Sequence, residues 1–251
     1  MTNNRKYFEQ RLDNAAQLVV EKHATFLEDP NDPETNHKLR VSIRTLRSLI
    51  DFMSPWQKRK QNKRIQQNLK FVVRRTSRLR ELDVLCEIAQ EGGASDELLS
   101  FCEERAARER DAVVEALSSK DYAKAIRKAT RATSKLRWKK GVAKKGPRGK
   151  AVRKRYDELA TSLLSDLDAL DENDYERVHD VRKRAKQIRY VSERFPEILG
   201  PDAVQAAKDM KAEQDRLGAI CDARVNHEIV QTFIEEEGLS PTLAEELRQI
   251  V

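Results

Sequence analysis

Apolar residues recur along this chain at intervals of three and four, and no stretch alternates apolar with polar over a strand's length, so the pattern predicts helices throughout. Phe8, Leu12, Ala15, Ala16, Val19 and Phe26 form the first stripe, over residues 4–28, with His23 at its edge read as a buried structural histidine. The turn Glu28-Asp29-Pro30-Asn31-Asp32-Pro33 ends that helix and starts another, which reaches Met53. A third helix is expected over 57–91, packed through Ile65, Leu69, Val72 and Leu79. After the break at Gly92-Gly93, helices are expected from Ser95 to Leu117 and from Tyr122 to Trp138, and Gly141–Gly149 (GVAKKGPRG) is the clearest loop. Further helices are expected over 151–170, from an Asn173/Glu176 capping box to Phe195-Pro196, over 202–237, and from Thr242 onward. The predicted fold is all-α: one domain over 1–251, made of two four-helix bundles at 1–140 and 150–251, related by a pseudo-twofold and joined by the 141–149 linker.

The second helix has two unlike faces. With His37 at the zero of a helical wheel, Leu39, Ile43, Leu46, Ile50 and Met53 fall between about 160° and 240°, while His37, Arg40, Arg44 and Arg47 fall between about 280° and 360°. Asp32 is suited to accept from the free N–H groups of the first turn, and Pro33 has no N–H to lose there. The layout returns 142 positions later, where Asp174, Glu176 and His179 match Asp32, Glu34 and His37. Arg182, Lys186 and Arg189 match Arg40, Arg44 and Arg47, and Val181, Ala185 and Ile188 match the apolar stripe. Cap, histidine, cations and packing face recurring together indicate an internal duplication.

Composition sharpens this picture. With 251 residues, 36% of them charged, only 8 Gly and 7 Pro, the chain suits long, surface-charged helices around a real core. No apolar run of about 18 residues occurs, so no membrane span is expected. The first residues lack the layout of a secretory signal, and three scattered cysteines make neither a disulfide framework nor a zinc site, which fits a reducing cytoplasm. The net charge is +7, but Tyr122–Tyr156 holds fifteen Lys or Arg and no acid, so the remainder of the chain is net acidic. Concentrated positive charge points to a polyanionic partner.

Each repeat places one His and three cations on a stripe about 15 Å long, at the end of the helix where the dipole favours an anion. A linear phosphate polymer matches that stripe, since Arg can hold two phosphate oxygens and Lys supplies a compact charge. A row of like charges also costs stability when empty, which favours a ligand over a merely solvated face. The candidate contacts are His37, Arg40, Arg44, Arg47, His179, Arg182, Lys186 and Arg189, with Lys38, Lys183, Lys70, Arg74 and Arg78 as outer contacts. Lys63, Lys70, Arg74 and Arg78 share about 80° of one helix wheel, and for that row an ordinary solvated face is an equal reading. Catalysis is not expected: there is no Gly-rich phosphate loop, no H-E-x-x-H and no clustered metal ligands, so neither metal nor cofactor is expected. Asp83 and Asp222 read as carboxylates that cap a helix or orient an Arg. Aromatic residues do not interleave with the basic rows, so base stacking is not indicated. The competing readings are a nucleic-acid or ribonucleoprotein scaffold using 122–156 and, third, an enzyme acting on phosphate esters or anhydrides.

The duplicated His37-x-x-Arg40-x-x-x-Arg44-x-x-Arg47 and His179-x-x-Arg182-x-x-x-Lys186-x-x-Arg189-Tyr190, with Leu79-Arg80-Glu81-Leu82-Asp83-Val84-Leu85, resemble the CHAD family, the conserved histidine α-helical domain. The resemblance spans nearly the whole chain. It implies two four-helix bundles around a basic central cavity, binding of inorganic polyphosphate, and association with polyphosphate granules in prokaryotes; read together with the residues, the expectation is non-catalytic binding in the cytoplasm with nucleic acid as a weaker competitor. Many relatives are fused to a CYTH triphosphate-tunnel domain; no E-x-E-x-K signature occurs here, so triphosphatase activity does not carry over. One departure is the long helix over 202–237, where Lys208 and Lys211 stand beside Glu213 and Asp215 and make it less basic than the family pattern.

Overall fold

Helix follows helix: α1 (Asn4–Glu28), α2 (Pro33–Phe52), α3 (Arg59–Arg75), α4 (Ser77–Glu91), α5 (Asp96–Ser118), α6 (Lys120–Ser134), α7 (Gly149–Asp168), α8 (Tyr175–Arg194), α9 (Pro196–Leu199), α10 (Asp202–Glu237) and α11 (Pro241–Ile250). This computed structural model describes residues 4–250, so the ends of the expected 1–251 domain, residues 1–3 and 251, lie outside the described residues, as does the side chain of Glu237. Among the described residues there is no strand, only one isolated bridge between Gln57 and Trp138.

The start of α2 follows local chemistry, with Asp32 accepting from the Glu34 N–H at 2.9 Å and Pro33 occupying the first turn. On α8 the cap is Asp174, which accepts from the Arg177 N–H at 3.1 Å. The expected Asn173 capping box does not form, because the Asn173 amide turns back to Asp171 at 2.9 Å.

The single helix expected over 57–91 is two helices. Thr76 Oγ1 and Ser77 Oγ both donate to the Val73 carbonyl, at 3.0 and 3.2 Å. Arg40 Nη1 donates to the same carbonyl at 3.0 Å. Hydroxyls that satisfy a carbonyl locally compete with the helical ladder, and Thr76 leaves helical geometry with ψ at 3°. α4 therefore starts in a new phase, with consequences for which cations face inward.

The helix expected to reach Trp138 ends at Ser134 instead. Gln61 of α3 donates to the carbonyls of Ala132 and Lys135 at 3.1 and 2.9 Å, using acceptors at the end of α6 that have no helical partner. Residues 135–139 then run as an extended strap, with the Lys58 N–H donating to Arg137 O at 2.7 Å and the Lys139 N–H to Trp56 O at 2.8 Å.

The loop over 141–149 lies against the start of α1. The Arg5 N–H donates to Lys145 O at 3.0 Å, and its side chain donates to Ala143 O at 2.6 Å. Gly146 sits at φ 75°, where a Cβ would come within 2.6 Å of the Arg5 backbone nitrogen, so this position accepts only glycine.

The interior forms two apolar clusters, and each draws on both sides of that loop. The larger joins Phe8, Ile43, Leu69, Ala129, Val181 and Leu217; the smaller joins Leu85 and Leu98 to Phe233 and Leu247. At the middle, α2 packs on α8, α8 on α10, α10 on α4, and α4 on α2. Apolar stripes drive this arrangement, with Leu39, Ile43, Leu46, Val181 and Ala185 essentially inaccessible to solvent. Arg44 of α2 and Arg182 and Lys186 of α8 lie near one another where these helices meet.

Candidate anion-binding site between four helices

Four cations from three helices converge there. Arg44 of α2 is charge-coupled to Arg182 of α8 and Arg80 of α4, and Lys186 of α8 is coupled to Arg182 and Arg44. Burial lowers the pKa of Lys186 first, then Arg182 and Arg44 lower it further against Asp222 and Cys221, and it falls to about 8. Arg40 falls to about 10 through burial, then Arg44, with Glu81 opposing. Burial also lowers Arg44, with the Tyr190 hydroxyl opposing. The Nε atoms of Arg40, Arg44, Arg182 and Arg189 are shielded from solvent and have no hydrogen-bond partner. Buried polar groups are ordinarily paired, so this is a cluster of donors with unmet demand.

The two histidines flank the cluster. Burial, then Arg80, lowers the pKa of His37; burial, then Lys183 and Lys186, lowers that of His179. Both are thereby neutral at pH 7, each able to donate one hydrogen bond. The ring of His179 is parallel to Tyr175 at 6.2 Å between centroids, and Arg224 of α10 covers the other residue of that pair at 4.3 Å from the Tyr175 ring.

Several candidate cations also hold the fold. Arg40 donates to Thr76 Oγ1 and Ser77 Oγ at 3.0 and 3.2 Å, fixing the corner between α3 and α4. Arg47 Nε donates to Gln66 at 3.0 Å, and Gln66 donates back to the Arg47 carbonyl at 2.8 Å. Arg182 reaches Asp222 through both terminal nitrogens, at 3.1 and 3.4 Å. Arg189 lies over the Tyr190 ring at 4.9 Å and 3.6 Å from Glu193. Asp83, whose side chain is 1% exposed, accepts from Asn36 at 3.3 Å and Arg110 at 3.2 Å. Both aspartates are therefore partners that orient neighbours, the second of the roles read from the sequence.

The outer candidates separate from the centre. Lys38 is exposed, 3.9 Å from Glu34, and Lys183, Lys70 and Arg74 are exposed on their helices. Arg78 pairs with Glu81 at 3.6 Å and Glu236 at 3.5 Å. The cation that acts on His37, Arg40 and Arg44 from this part of the chain is Arg80, which the row of wheel positions passed over.

Gly218 of α10 makes room for Arg182: a Cβ there would sit 3.2 Å from Arg182 Nη2, with no other atom nearer than the same guanidinium. Gly218→Ala gains about 1 kcal/mol of helix propensity while the flexible end of Arg182 moves aside. The expected result is a higher thermal midpoint together with a severalfold weaker affinity for a polyanion, read by calorimetric unfolding and titration of one sample.

Among the described residues, no three His, Cys, Asp or Glu side chains gather as a metal site, and no helix is long and apolar enough to cross a membrane. The fold is that of the crystal structure of the CHAD domain from the plant Ricinus communis, with a TM-score of 0.78, 21% identity, and coverage of 98% of this chain and 83% of that one. PptA from Streptomyces chartreusis is also similar in fold, with a TM-score of 0.65, 13% identity, and coverage of 99% and 92%. No curated protein matches the sequence. The family model described as the CHAD domain matches residues 10–231, and the chain belongs to the CHAD family.

Proposed function

We propose that this protein binds inorganic polyphosphate without making or breaking bonds, in the space between α2, α4, α8 and α10. The observation that carries the reading is the convergence of Arg44, Arg80, Arg182 and Lys186 there, with the shielded Nε atoms of Arg44 and Arg182 lacking hydrogen-bond partners. A chain of phosphates supplies repeated acceptors to such donors and offsets the mutual repulsion of the cations. His37 and His179 donate single hydrogen bonds at the edges, and Arg182 is held in line by Asp222. Membership of the CHAD family supports the same ligand and extends the reading to association with polyphosphate granules in the cytoplasm.

Titration with long-chain polyphosphate and duplex DNA of matched charge, at physiological salt, tests this. Polyphosphate binds more tightly and its affinity falls steeply as salt rises, because each contact displaces counterions. Equal or tighter binding of duplex DNA overturns the assignment. Release of orthophosphate in the presence of Mg²⁺ or Mn²⁺ contradicts the non-catalytic part.

A further inference from the structure

A concavity of about 1110 Å³ lies away from the four-helix centre, in the seam where α3 packs against α6. Lys58, Lys60 and Arg64 line one side, and Lys128 and Arg137 the other, with no acidic residue among the lining. None of these five side chains has an ion-pair partner among the described residues, whereas Arg75 at the far end of α3, and Arg110, Arg184 and Arg216 on other helices, are paired with acids. The walls are rigid. Gln61 ties the end of α6 to α3, and the strap over 135–139 is bonded to residues 56–58.

The aromatic residues decide what the groove takes. One turn beyond Asn68, Phe71 of α3 stacks on Tyr122 of α6, with centroids 4.3 Å apart and planes 19° from parallel. Phe71 is nevertheless 46% exposed. A large ring half in water at the end of a cationic groove is an unused stacking platform. Polyphosphate has no planar group to place on it, whereas a nucleotide strand offers a backbone to the cations and a base to the ring.

We propose that the α3–α6 groove is a second site, distinct from the four-helix centre, that binds single-stranded nucleic acid with its backbone along Lys58, Arg64, Lys128 and Arg137 and a base on the Phe71–Tyr122 pair. Duplex is not accommodated, because its bases are stacked on one another and cannot reach the ring. Recognition is of the single strand as such; the groove presents no array of side-chain hydrogen bonds to read a sequence.

The test is fluorescence anisotropy with a labelled single-stranded RNA of about twelve nucleotides, a length within the range one such track covers. Phe71→Ser weakens RNA binding by about fivefold or more, and leaves binding of an abasic single strand unchanged. Arg64→Glu with Lys128→Glu weakens both strands at least tenfold and spares polyphosphate binding. Arg44→Glu with Lys186→Glu retains RNA binding, which separates this site from the proposed polyphosphate site. All these positions except Arg44 and Lys186 are exposed, and circular dichroism verifies the fold of each variant. RNA binding unchanged by Phe71→Ser overturns the proposal. So does an equal loss of polyphosphate and RNA affinity in the Arg64/Lys128 variant, which identifies the groove as a continuation of a phosphate track.

Discussion

Reversing the charges of Arg44 and Lys186 together lowers affinity for long-chain polyphosphate by at least about a hundredfold at physiological salt. Truncating one member of a close, desolvated charge contact costs roughly 2–5 kcal/mol, and reversal adds repulsion of the phosphate. The pair is chosen because the two residues come from different helices and act on each other directly. Neither is tied to an acidic side chain by an ion pair among the described residues, unlike Arg182. The measurement is isothermal titration at several salt concentrations. The double variant loses affinity and also shows a shallower salt dependence, because fewer counterions are displaced. A variant that binds as the parent does, with the same slope, places the ligand elsewhere.

Lys186→Met has effects of opposite sign on stability and binding. The folded pKa of Lys186 is about 8, against 10.5 for the free side chain. Above about pH 10.5 the amine is neutral in both states and contributes nothing. As pH falls from 10.5 to 8 the unfolded chain takes up the proton first, so folding loses stability across that window. Below 8 the full cost is present, roughly 1–3 kcal/mol after allowing for partial solvent screening. Lys186→Met therefore stabilises the unliganded protein at pH 7 by about that amount, seen in denaturant melts, and abolishes the rise in parental stability between pH 8 and 10.5. The same change weakens polyphosphate binding. In the parent protein at pH 8.5, a bound anion pulls a proton onto Lys186, so binding is accompanied by proton uptake, read by calorimetry in two buffers of different ionisation enthalpy. Proton uptake that survives in Lys186→Met assigns it to another group.

Much of this was legible locally. The bounds of α1 and α10, the Asp32–Pro33 start of α2 and the buried stripe Leu39, Ile43, Leu46 and Ile50 follow from periodicity and capping, and all appear as read. His23, read as buried, is only partly so, with its Nε2 3.2 Å from the Leu117 carbonyl. Two helix ends were missed where side chains from elsewhere make hydrogen bonds, and the Asn173 capping box where Asn173 turns to Asp171 instead. Arg40 reaches the Val73 carbonyl from another helix and helps break the third one. Gln61 ends α6 from another helix in the same way. The aromatic platform was invisible because Phe71 and Tyr122 are far apart in sequence and neither sits in a basic helical row.

The sequence by itself determined where most of the helices lie, which face of α2 and α8 is apolar, and that each carries a histidine followed by three cations. Those properties depend on neighbours within a turn or two, where backbone geometry leaves little choice. Only the tertiary structure decided which charges meet. Arg80 came to act on His37, Arg40 and Arg44, while Arg78 pairs with Glu81 and Glu236. The packing of α2 on α8 made Lys186 a costly charge, and the docking of α6 on α3 made a groove out of scattered lysines. Electrostatic energy depends on distance through space and on desolvation, and both are set by packing between segments remote along the chain.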